Sequence, residues 1–277
     1  MKALENQSLS KYTTVRIGGI ARRMLIPESV EELIEVIREE SPKHFIGGGS
    51  NLLIADHEFD LVVNLREFNS TFEFQGNGIF KVGASVRLQQ LINRVNEAGY
   101  GGIEYLYSVP GLVGGAIVMN AGRGKKYNQT ISDYILAVDV LRDGQLITLQ
   151  KEACRFSHRD SAFKNSNDLI VGCTFSFPPM DIAESEKKKK ERIELCKQVQ
   201  DASKPNFGTV FRESNPKIMN YAQKKKLGSK VHFSGKTANW ILNEGGSFED
   251  AMAAIKKVEF LHKISFKKCS REVIVWE

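Results

Sequence analysis

Along the first part of the chain, apolar positions first recur at the spacing of a helix. Farther along, they form the short runs typical of strands. In residues 30–37 they recur at helical spacing. Ser29 followed by Glu32 is a capping-box pattern, which places the start of this helix. Residues 44–46 form a short apolar run that ends at three glycines. The pattern therefore predicts an α/β unit that closes on a glycine-rich loop.

Further strands are predicted where short apolar runs are bounded by glycine or polar turns. They cover residues 61–65, 79–83, 134–141, 145–149 and 169–177. Asp143 and Gly144 join two of these strands as a hairpin, because both residues tolerate a positive φ. A helix over residues 88–95 ends before Gly99. Together these elements predict a mixed α+β (α/β) fold class.

A change of composition at Pro178 and Pro179 predicts a domain boundary, with one domain over residues 1–180 and a second over residues 181–277. Residues 182–200 are rich in lysine and glutamate, as in a connecting surface helix. Four more elements are predicted beyond it, followed by a last strand that either stays in the second domain or returns to the first. They are a strand at 209–211, a helix at 218–226, a strand at 240–242, a long helix capped by Ser247 and Asp250, and the last strand at 272–276.

The composition is that of a folded protein with room for two domains, since 42% of its 277 residues are hydrophobic and 26% are charged. No apolar run is long enough for a membrane span or a signal peptide, so we expect a cytoplasmic protein. The four cysteines are far apart in sequence and predict reduced thiols without a disulfide framework. The histidines show no metal-ligand spacing, so no metal is predicted.

The formal charge of +6 admits a nucleic-acid partner, but the excess lies in short clusters at residues 187–190, 224–226 and 267–268. Such clusters are typical of solvated helix faces and loops, and this is the interpretation we favour, above all for residues 187–190. A positive field would also help to collect anionic nucleotides. We therefore expect no nucleic acid and no membrane as a partner, only a small-molecule substrate.

The first candidate for chemistry is the loop that follows the strand at 44–46. It contains Gly47, Gly48, Gly49, Ser50 and Asn51. Consecutive glycines let backbone N–H groups converge on an anion, which makes the loop a candidate phosphate cradle. Its spacing is neither that of a P-loop nor that of a Rossmann turn. Tight loops also use such residues for steric reasons alone.

A second glycine-rich segment spans residues 108–122, where a Pro-Gly turn leads into Gly-Gly-Ala and then Asn-Ala-Gly. Two cradles suggest a long, extended cofactor, although two unrelated turns would have the same composition. The candidate cofactor-binding positions in this segment are Ser108, Pro110, Gly111, Gly114, Gly115, Asn120 and Gly122.

Six separate motifs follow one another in an order that resembles the UDP-N-acetylenolpyruvoylglucosamine reductase family, and they cover nearly the whole chain. They are residues 13–19, 47–53, 109–122, 159–164, 208–211 and 271–273. The resemblance implies non-covalent FAD, held in a two-subdomain domain of the vanillyl-alcohol-oxidase (PCMH) type, and a smaller C-terminal α/β substrate domain. It also implies NADPH as hydride donor and reduction of UDP-GlcNAc-enolpyruvate to UDP-N-acetylmuramate for peptidoglycan synthesis.

Three residues match the positions that carry catalysis in this family. The resemblance implies that Arg159 binds the substrate carboxylate, for which a permanently charged guanidinium is suited. It implies that Glu272 polarises the enolate and that Thr209 donates the proton, where the family usually has serine in Gly-Ser-x-Phe. The threonine keeps the hydroxyl and adds a methyl group that stiffens χ1. Taken singly, Arg159 and Glu272 would more simply be a structural ion pair.

Other positions depart from the family pattern. Residues 123–127 replace the usual Ala-Tyr-Gly, and His158 stands where a tyrosine often precedes the arginine. Asn239 lies in a segment that resembles the family's His-Ala-x-Phe-Ile-x-Asn motif, and we predict that Trp240 beside it belongs to the core. The short C-terminal part is typical of the shorter type of this enzyme, without the substrate-domain insertion.

Two alternatives remain open at this point. A flavoprotein paralogue, reductase or oxidase, would keep the fold and act on a different substrate. A nucleotide-binding module without turnover would have no need of Arg159 and Glu272 together. The flavin colour separates these hypotheses. Bleaching by NADPH with restoration by UDP-GlcNAc-enolpyruvate supports the leading hypothesis, and restoration only by oxygen supports the paralogue. A colourless protein that cannot take up FAD would overturn both.

Overall fold

The computed structural model describes residues 1–122 and 128–277, which form six α-helices and fifteen strands. The helices are α1 Val30–Glu40, α2 Leu88–Glu97, α3 Val113–Val118, α4 Ile182–Val199, α5 Pro216–Lys225 and α6 Phe248–Ile264. The strands are β1 Lys2–Ser8, β2 Ile20–Ile26, β3 His44–Ile46, β4 Leu52–Ile54, β5 Glu58–Asn64, β6 Phe72–Phe74, β7 Ile79–Gly83, β8 Ile135–Arg142, β9 Gln145–Gln150, β10 Leu169–Ser176, β11 Phe211–Glu213, β12 Val231–Phe233, β13 Ile241–Asn243, β14 Ser270–Arg271 and β15 Ile274–Trp276.

The strands pair into one five-stranded sheet, one four-stranded sheet and three two-stranded sheets. Their orders are β6-β7-β10-β8-β9, β1-β2-β5-β3, β11-β14, β12-β13 and β15-β4. Antiparallel pairing dominates, but β3 pairs with β5 and β15 pairs with β4 in parallel. The mixture of antiparallel sheets and helices is the α+β class expected from the sequence.

The chain divides into two compact units, each made of three segments. Unit 1 is Met1–Ala3, Leu25–Gly48 and Val62–Leu195, and unit 2 is Leu4–Met24, Gly49–Leu61 and Cys196–Glu277. Both units therefore draw on the first 61 residues of the chain. The functional division into residues 1–180 and 181–277 stays a prediction.

Unit 1 is built around the five-stranded antiparallel sheet. Asp143 and Gly144 have φ values of 50° and 74°, so the predicted hairpin between β8 and β9 turns with two left-handed residues. Phe80 of β7 and Phe175 of β10 are fully buried, and Phe177 stacks on Phe175 with 5.4 Å between ring centroids. Helix α3 packs on β10 and so presents the second glycine-rich segment at the edge of this core.

Unit 2 has its own core, in which α5 and α6 pack together and α6 covers β12. The fully buried side chains include Phe211 and Phe233, whose rings are nearly parallel at 6.4 Å, and Ile255 of α6. Ser247 accepts from the amide of Asp250 and the Asp250 carboxylate accepts from Ser247, so the predicted capping box of the long helix is confirmed.

Three details differ from the sequence-based expectations. Ser29 caps α1 as predicted, but the Glu32 carboxylate accepts from the amide of Glu28, 2.7 Å away, and not from Ser29. The last strand, predicted over residues 272–276, is shortened to β15, because the amides of Glu272 and Val273 both donate to the carbonyl of Val210. Trp240 is only half-buried. An aromatic residue in an apolar segment predicts packing, not complete burial.

All four cysteines are free thiols, as predicted, and three are buried. Burial raises the pKa of the Cys154 thiol to about 11 and that of Cys269 to about 11, and it raises the pKa of Cys173 well above its ordinary value. Among the described residues, no group of His, Cys, Asp and Glu could hold a metal ion. No helix in the same residues is long and apolar enough to cross a membrane.

Candidate functional site

The first half of the glycine loop belongs to unit 1 and packs directly on the second glycine-rich segment. A Cβ atom on Gly48 would lie 3.0 Å from the Cα of Gly111, so the two backbones approach too closely for most side chains. Arg66 donates from Nε to the carbonyl of Gly47 at 2.9 Å and from Nη2 to that of Gly48 at 3.3 Å. The carbonyls are thereby fixed on Arg66. No sequence pattern predicts this role of Arg66.

The second half of the loop belongs to unit 2 and requires glycine for two reasons. Gly49 has φ of +66°, and a Cβ atom on it would lie 1.9 Å from the carbonyl oxygen of Tyr12. Its own carbonyl accepts from the amide of Thr14 at 3.1 Å. Asn51 donates from Nδ2 to the carbonyl of Glu272 at 3.1 Å. The loop is thus tied to the strand segment that carries a predicted catalytic residue.

The second segment places its glycines where the backbone must pass close to its neighbours. Gly114 lies in the first turn of α3. A Cβ atom on it would lie 3.1 Å from the Cβ of Ala84, and its backbone amide donates to the carbonyl of Ala84. Gly115 faces open space, and Pro110 is exposed. Asn120 is buried and has a φ of 40°. Its Nδ2 atom donates a hydrogen bond of 2.8 Å to the carbonyl of Ser157.

Helix α4 contacts the start of this segment. The expectation that residues 187–190 form only a solvated helix face is therefore wrong. Lys189 is 6% exposed, donates to Oδ1 of Asn93 at 3.1 Å and lies over the ring of Tyr107 at 5.3 Å. Arg192 donates from Nε to Oγ of Ser108 at 2.9 Å. Two cations one helical turn apart therefore hold the residues that lead into the second glycine-rich segment.

The first glycine loop offers backbone donors suited to an anion. No described residue accepts a hydrogen bond from the amides of Gly47, Gly48 or Gly49. The Oγ1 atom of Thr14, bonded through its backbone to Gly49, is buried without a partner among the described residues. A buried donor without a partner, such as the Thr14 hydroxyl, is costly, and an anionic oxygen would satisfy it.

Arg159 lies in unit 1 at the tip of a four-residue turn. The backbones of Ser157 and Asp160 close the turn with hydrogen bonds of 3.0 and 3.2 Å, and Arg159 has φ of 56°. Left-handed backbone is uncommon for arginine and is typical of residues that a site holds in one orientation. Its Nη2 atom donates to the carbonyl of Gly122 at 2.9 Å, so the guanidinium is half-buried beside the second glycine-rich segment.

Thr209 lies in unit 2 directly before two residues whose backbone is bound by Asn239. The Asn239 side chain accepts from the amide of Phe211 at 2.9 Å and donates to its carbonyl at 2.7 Å, while the Asn239 carbonyl accepts from Val210. Asn239 adopts φ of 66°, which asparagine tolerates better than most residues. The sequence placed Asn239 in a family motif without assigning it contacts, and the structure shows that it positions the Thr209 segment.

Glu272 is brought next to the same segment. Its amide donates to the carbonyl of Val210 at 2.8 Å, and its side chain is 9% exposed. The preceding residue Arg271 forms a bidentate ion pair with Glu259 of α6, with distances of 2.5 and 2.8 Å. Helix α6 therefore fixes the strand that presents Glu272.

The structure thus brings Thr209 and Glu272 together in unit 2, and it brings Arg159 and Gly122 together in unit 1. His158 shares the turn with Arg159 and is half-buried. The departure from the family pattern at residues 123–127 lies outside the described residues. The sequence did not predict the roles of Arg66, Asn239 and Arg192 as site residues. Each of them acts through hydrogen bonds to backbone groups or to a hydroxyl, and such a role leaves no pattern in a single sequence.

Comparison with known proteins agrees with this geometry. Residues 21–150 match the family described as an FAD binding domain. The chain is 32% identical to the UDP-N-acetylenolpyruvoylglucosamine reductase of Thermotoga sp. (strain RQ2), over 98% of this chain and 92% of the relative. It is 35% identical to the same enzyme of Carboxydothermus hydrogenoformans, with the same coverage of both chains. The crystal structure of UDP-N-acetylenolpyruvylglucosamine reductase (MurB) from Thermus caldophilus matches with a TM-score of 0.83 and 26% identity over 100% of both chains.

These similarities confirm the predicted fold class and the FAD cofactor, and they span nearly the full length of the relatives. The chain belongs to the UDP-N-acetylenolpyruvoylglucosamine reductase family of FAD-dependent oxidoreductases.

Proposed function

We propose that the protein reduces the enolpyruvyl group of UDP-GlcNAc-enolpyruvate to give UDP-N-acetylmuramate, with NADPH as the electron donor. Bound FAD supplies the hydride-transfer chemistry between the two. The strongest support for this proposal is the position of the Thr209 segment next to Glu272. Hydrogen bonds of Asn239 and of the Val210 carbonyl hold the two segments together. A module that only bound nucleotides would need no such arrangement.

Arg159 is proposed to bind the substrate carboxylate. When hydride reaches one carbon of the enolpyruvyl group, negative charge moves toward the carboxylate, and a fixed cation stabilises that charge. The turn closed by Ser157 and Asp160 fixes the backbone of Arg159, and the bond to Gly122 fixes its guanidinium. Little reorganisation is then needed as the charge develops.

Thr209 is proposed to deliver the proton to the other carbon, and Glu272 to hydrogen-bond the enolate oxygen. A hydroxyl can donate a proton and accept one in return, and a carboxylic acid in a buried position can donate a hydrogen bond. Glu272 is almost completely buried, so little solvent competes for a hydrogen bond from its carboxyl group. The added methyl group of Thr209, compared with serine, limits the hydroxyl to fewer rotamers.

We further propose that FAD is held by the loop at residues 47–51 and by the segment at residues 108–122, within a functional domain over residues 1–180. Residues 181–277 would form the substrate domain of the shorter type. The match to the Thermus caldophilus enzyme covers 100% of both chains. We propose a cytoplasmic location, since the proposed reaction consumes NADPH and a nucleotide sugar, and we separately expect a monomer.

Product analysis tests the proposal. The protein is incubated with FAD, NADPH and UDP-GlcNAc-enolpyruvate, and the nucleotide sugars are separated and weighed by mass spectrometry. We expect UDP-N-acetylmuramate to form only when all three are present. NADPH oxidation with oxygen uptake and no new nucleotide sugar would instead identify a flavoprotein paralogue, for which Thr209 in place of the usual serine and residues 123–127 are the supporting departures.

A further inference from the structure

An exposed groove between α5 and α6 plays no part in the proposed reaction. It has a volume of about 440 Å³ and lies wholly within unit 2. Its apolar lining comes from Tyr221, Leu227, Phe260 and Leu261, and the side chains of Lys256 and Lys257 lie along it. We call it the α5–α6 groove.

Large apolar side chains remain exposed in and beyond this groove. Phe260 is 60% exposed, Tyr221 is 48% exposed, and Ile264 at the end of α6 is 54% exposed. Phe266, in the turn that follows α6, is 96% exposed and adopts φ of 52°. Single exposed apolar residues are ordinary, but several on one helix and its following turn are typical of an interaction surface.

The same region gathers most of the lysine clusters noted in the sequence. Residues 224–226 end α5, Lys256 and Lys257 lie in the middle of α6, and Lys263 and residues 267–268 follow. None of these lysines pairs with a carboxylate in the described part of the chain. Glu259, the acid that α6 carries beside them, is bound to Arg271. An apolar groove is therefore bordered by uncompensated positive charge.

We propose that the α5–α6 groove binds an acidic amphipathic helix of a partner protein. Apolar side chains at positions i, i+3, i+4 and i+7 of such a helix would fill the groove, while its carboxylates would pair with the lysines. A concave groove suits a helix better than a lipid surface, which contacts protruding groups only. A second copy packed symmetrically on this face would bring the lysines against each other.

A synthetic peptide tests the proposal. The probe is a fluorescein-labelled helix of about four turns, with leucine at i, i+3, i+4 and i+7 and mostly glutamate elsewhere, and its scrambled version is the control. Fluorescence anisotropy with the full-length holoprotein should show binding of the amphipathic peptide only. Phe260→Glu and the double variant Lys256→Glu/Lys257→Glu should each weaken it by about tenfold or more.

Matched variants in unit 1 separate this surface from general effects. Leu146 is 55% exposed on β9, and Lys187 and Lys190 are exposed on α4. Leu146→Glu and Lys187→Glu/Lys190→Glu should leave peptide binding unchanged, and all variants should unfold at the same temperature as the parent. Equal binding of the scrambled peptide, or no effect of the α6 variants, would contradict the proposal.

Two further outcomes would also overturn it. Co-sedimentation with vesicles of phosphatidylglycerol and phosphatidylcholine, lost in Phe260→Glu, in the absence of peptide binding would identify a membrane surface. A dimer in sedimentation velocity that dissociates in Phe260→Glu would identify a second copy of the chain as the occupant.

Discussion

At the scale of single residues, the site depends on backbone conformations that residue types only partly reveal. Gly49 was predicted from the run of glycines, and its φ of +66° agrees with that reasoning. Arg159 and Asn239 also adopt left-handed φ values, but arginine gives no sequence signal for this conformation. The buried hydroxyl of Thr14 and the carbonyl-binding side chain of Arg66 depend on distant neighbours, which one sequence does not show.

Gly49→Ala should weaken FAD binding by about tenfold or more, because the new Cβ would overlap the carbonyl of Tyr12 and the φ of +66° would be strained. Flavin fluorescence quenching on titration with the apoprotein measures the affinity. Gly144→Ala is the matched control, since Gly144 has φ of +74° and nothing within 4 Å of its Cβ position. Equal losses of FAD affinity in both variants would argue against a special role of Gly49.

Thr209→Ala should slow reoxidation of the flavin by UDP-GlcNAc-enolpyruvate by about 10²-fold or more, because the proton donor is removed. Reduction of the flavin by NADPH should stay nearly unchanged. Stopped-flow absorption separates the two half-reactions, and Thr209→Ser serves as the conservative variant that retains activity. The assignment fails if both half-reactions slow equally or if neither changes.

At the scale of elements, the sequence predicted the long periodic segments well and the short ones poorly. Helices α1 and α6 and the β8–β9 hairpin have caps or turns with a local chemical cause, so they were predictable. Strands β1 and β4 are set by pairing with distant segments and have no regular alternation of apolar and polar residues. Helix α4 was predicted as an element, but its lysine-rich composition concealed that Lys189 is buried against Tyr107.

Arg192→Met should weaken FAD binding by roughly five- to tenfold, since a hydrogen bond between a charged donor and Ser108 contributes on the order of 1 kcal/mol when partly exposed. The apolar stem of the side chain is kept, so packing of α4 should change little. Lys190→Met, an exposed change on the same helix, should leave the affinity unaltered. Isothermal titration of the apoproteins with FAD provides the comparison, and an unaltered affinity in Arg192→Met would refute the positioning role.

At the scale of the whole molecule, the sequence identified the family from the order of its motifs but not how the chain is shared between compact units. Residues 49–61 fall in unit 2 although they lie between two segments of unit 1. A composition change at Pro178 and Pro179 marks the start of α4, which belongs mostly to unit 1. Contacts distant in sequence decide such a division, and no local pattern records them.

Two thiols whose pKa is raised by burial should make the stability of the folded protein depend on pH in the alkaline range. The pKa of Cys154 and of Cys269 is raised by burial from 9.0 to about 11, so the folded protein keeps protons that the unfolded chain releases. Stability should therefore be fully present below pH 9 and fall as the pH rises from 9 toward 11. Urea unfolding across this range measures the change. Cys154→Ser/Cys269→Ser should flatten the dependence, and a steeper fall in that variant would contradict the explanation.

The central claim is that FAD held by the glycine loops carries electrons from NADPH to the enolpyruvyl sugar. An anaerobic single turnover tests it most directly. The purified yellow protein is titrated with one equivalent of NADPH and then with one equivalent of UDP-GlcNAc-enolpyruvate, while the flavin absorption is recorded. We expect bleaching by NADPH and full recovery of the colour on addition of the sugar nucleotide. Recovery only after oxygen is admitted, or a protein that does not take up FAD, would contradict it.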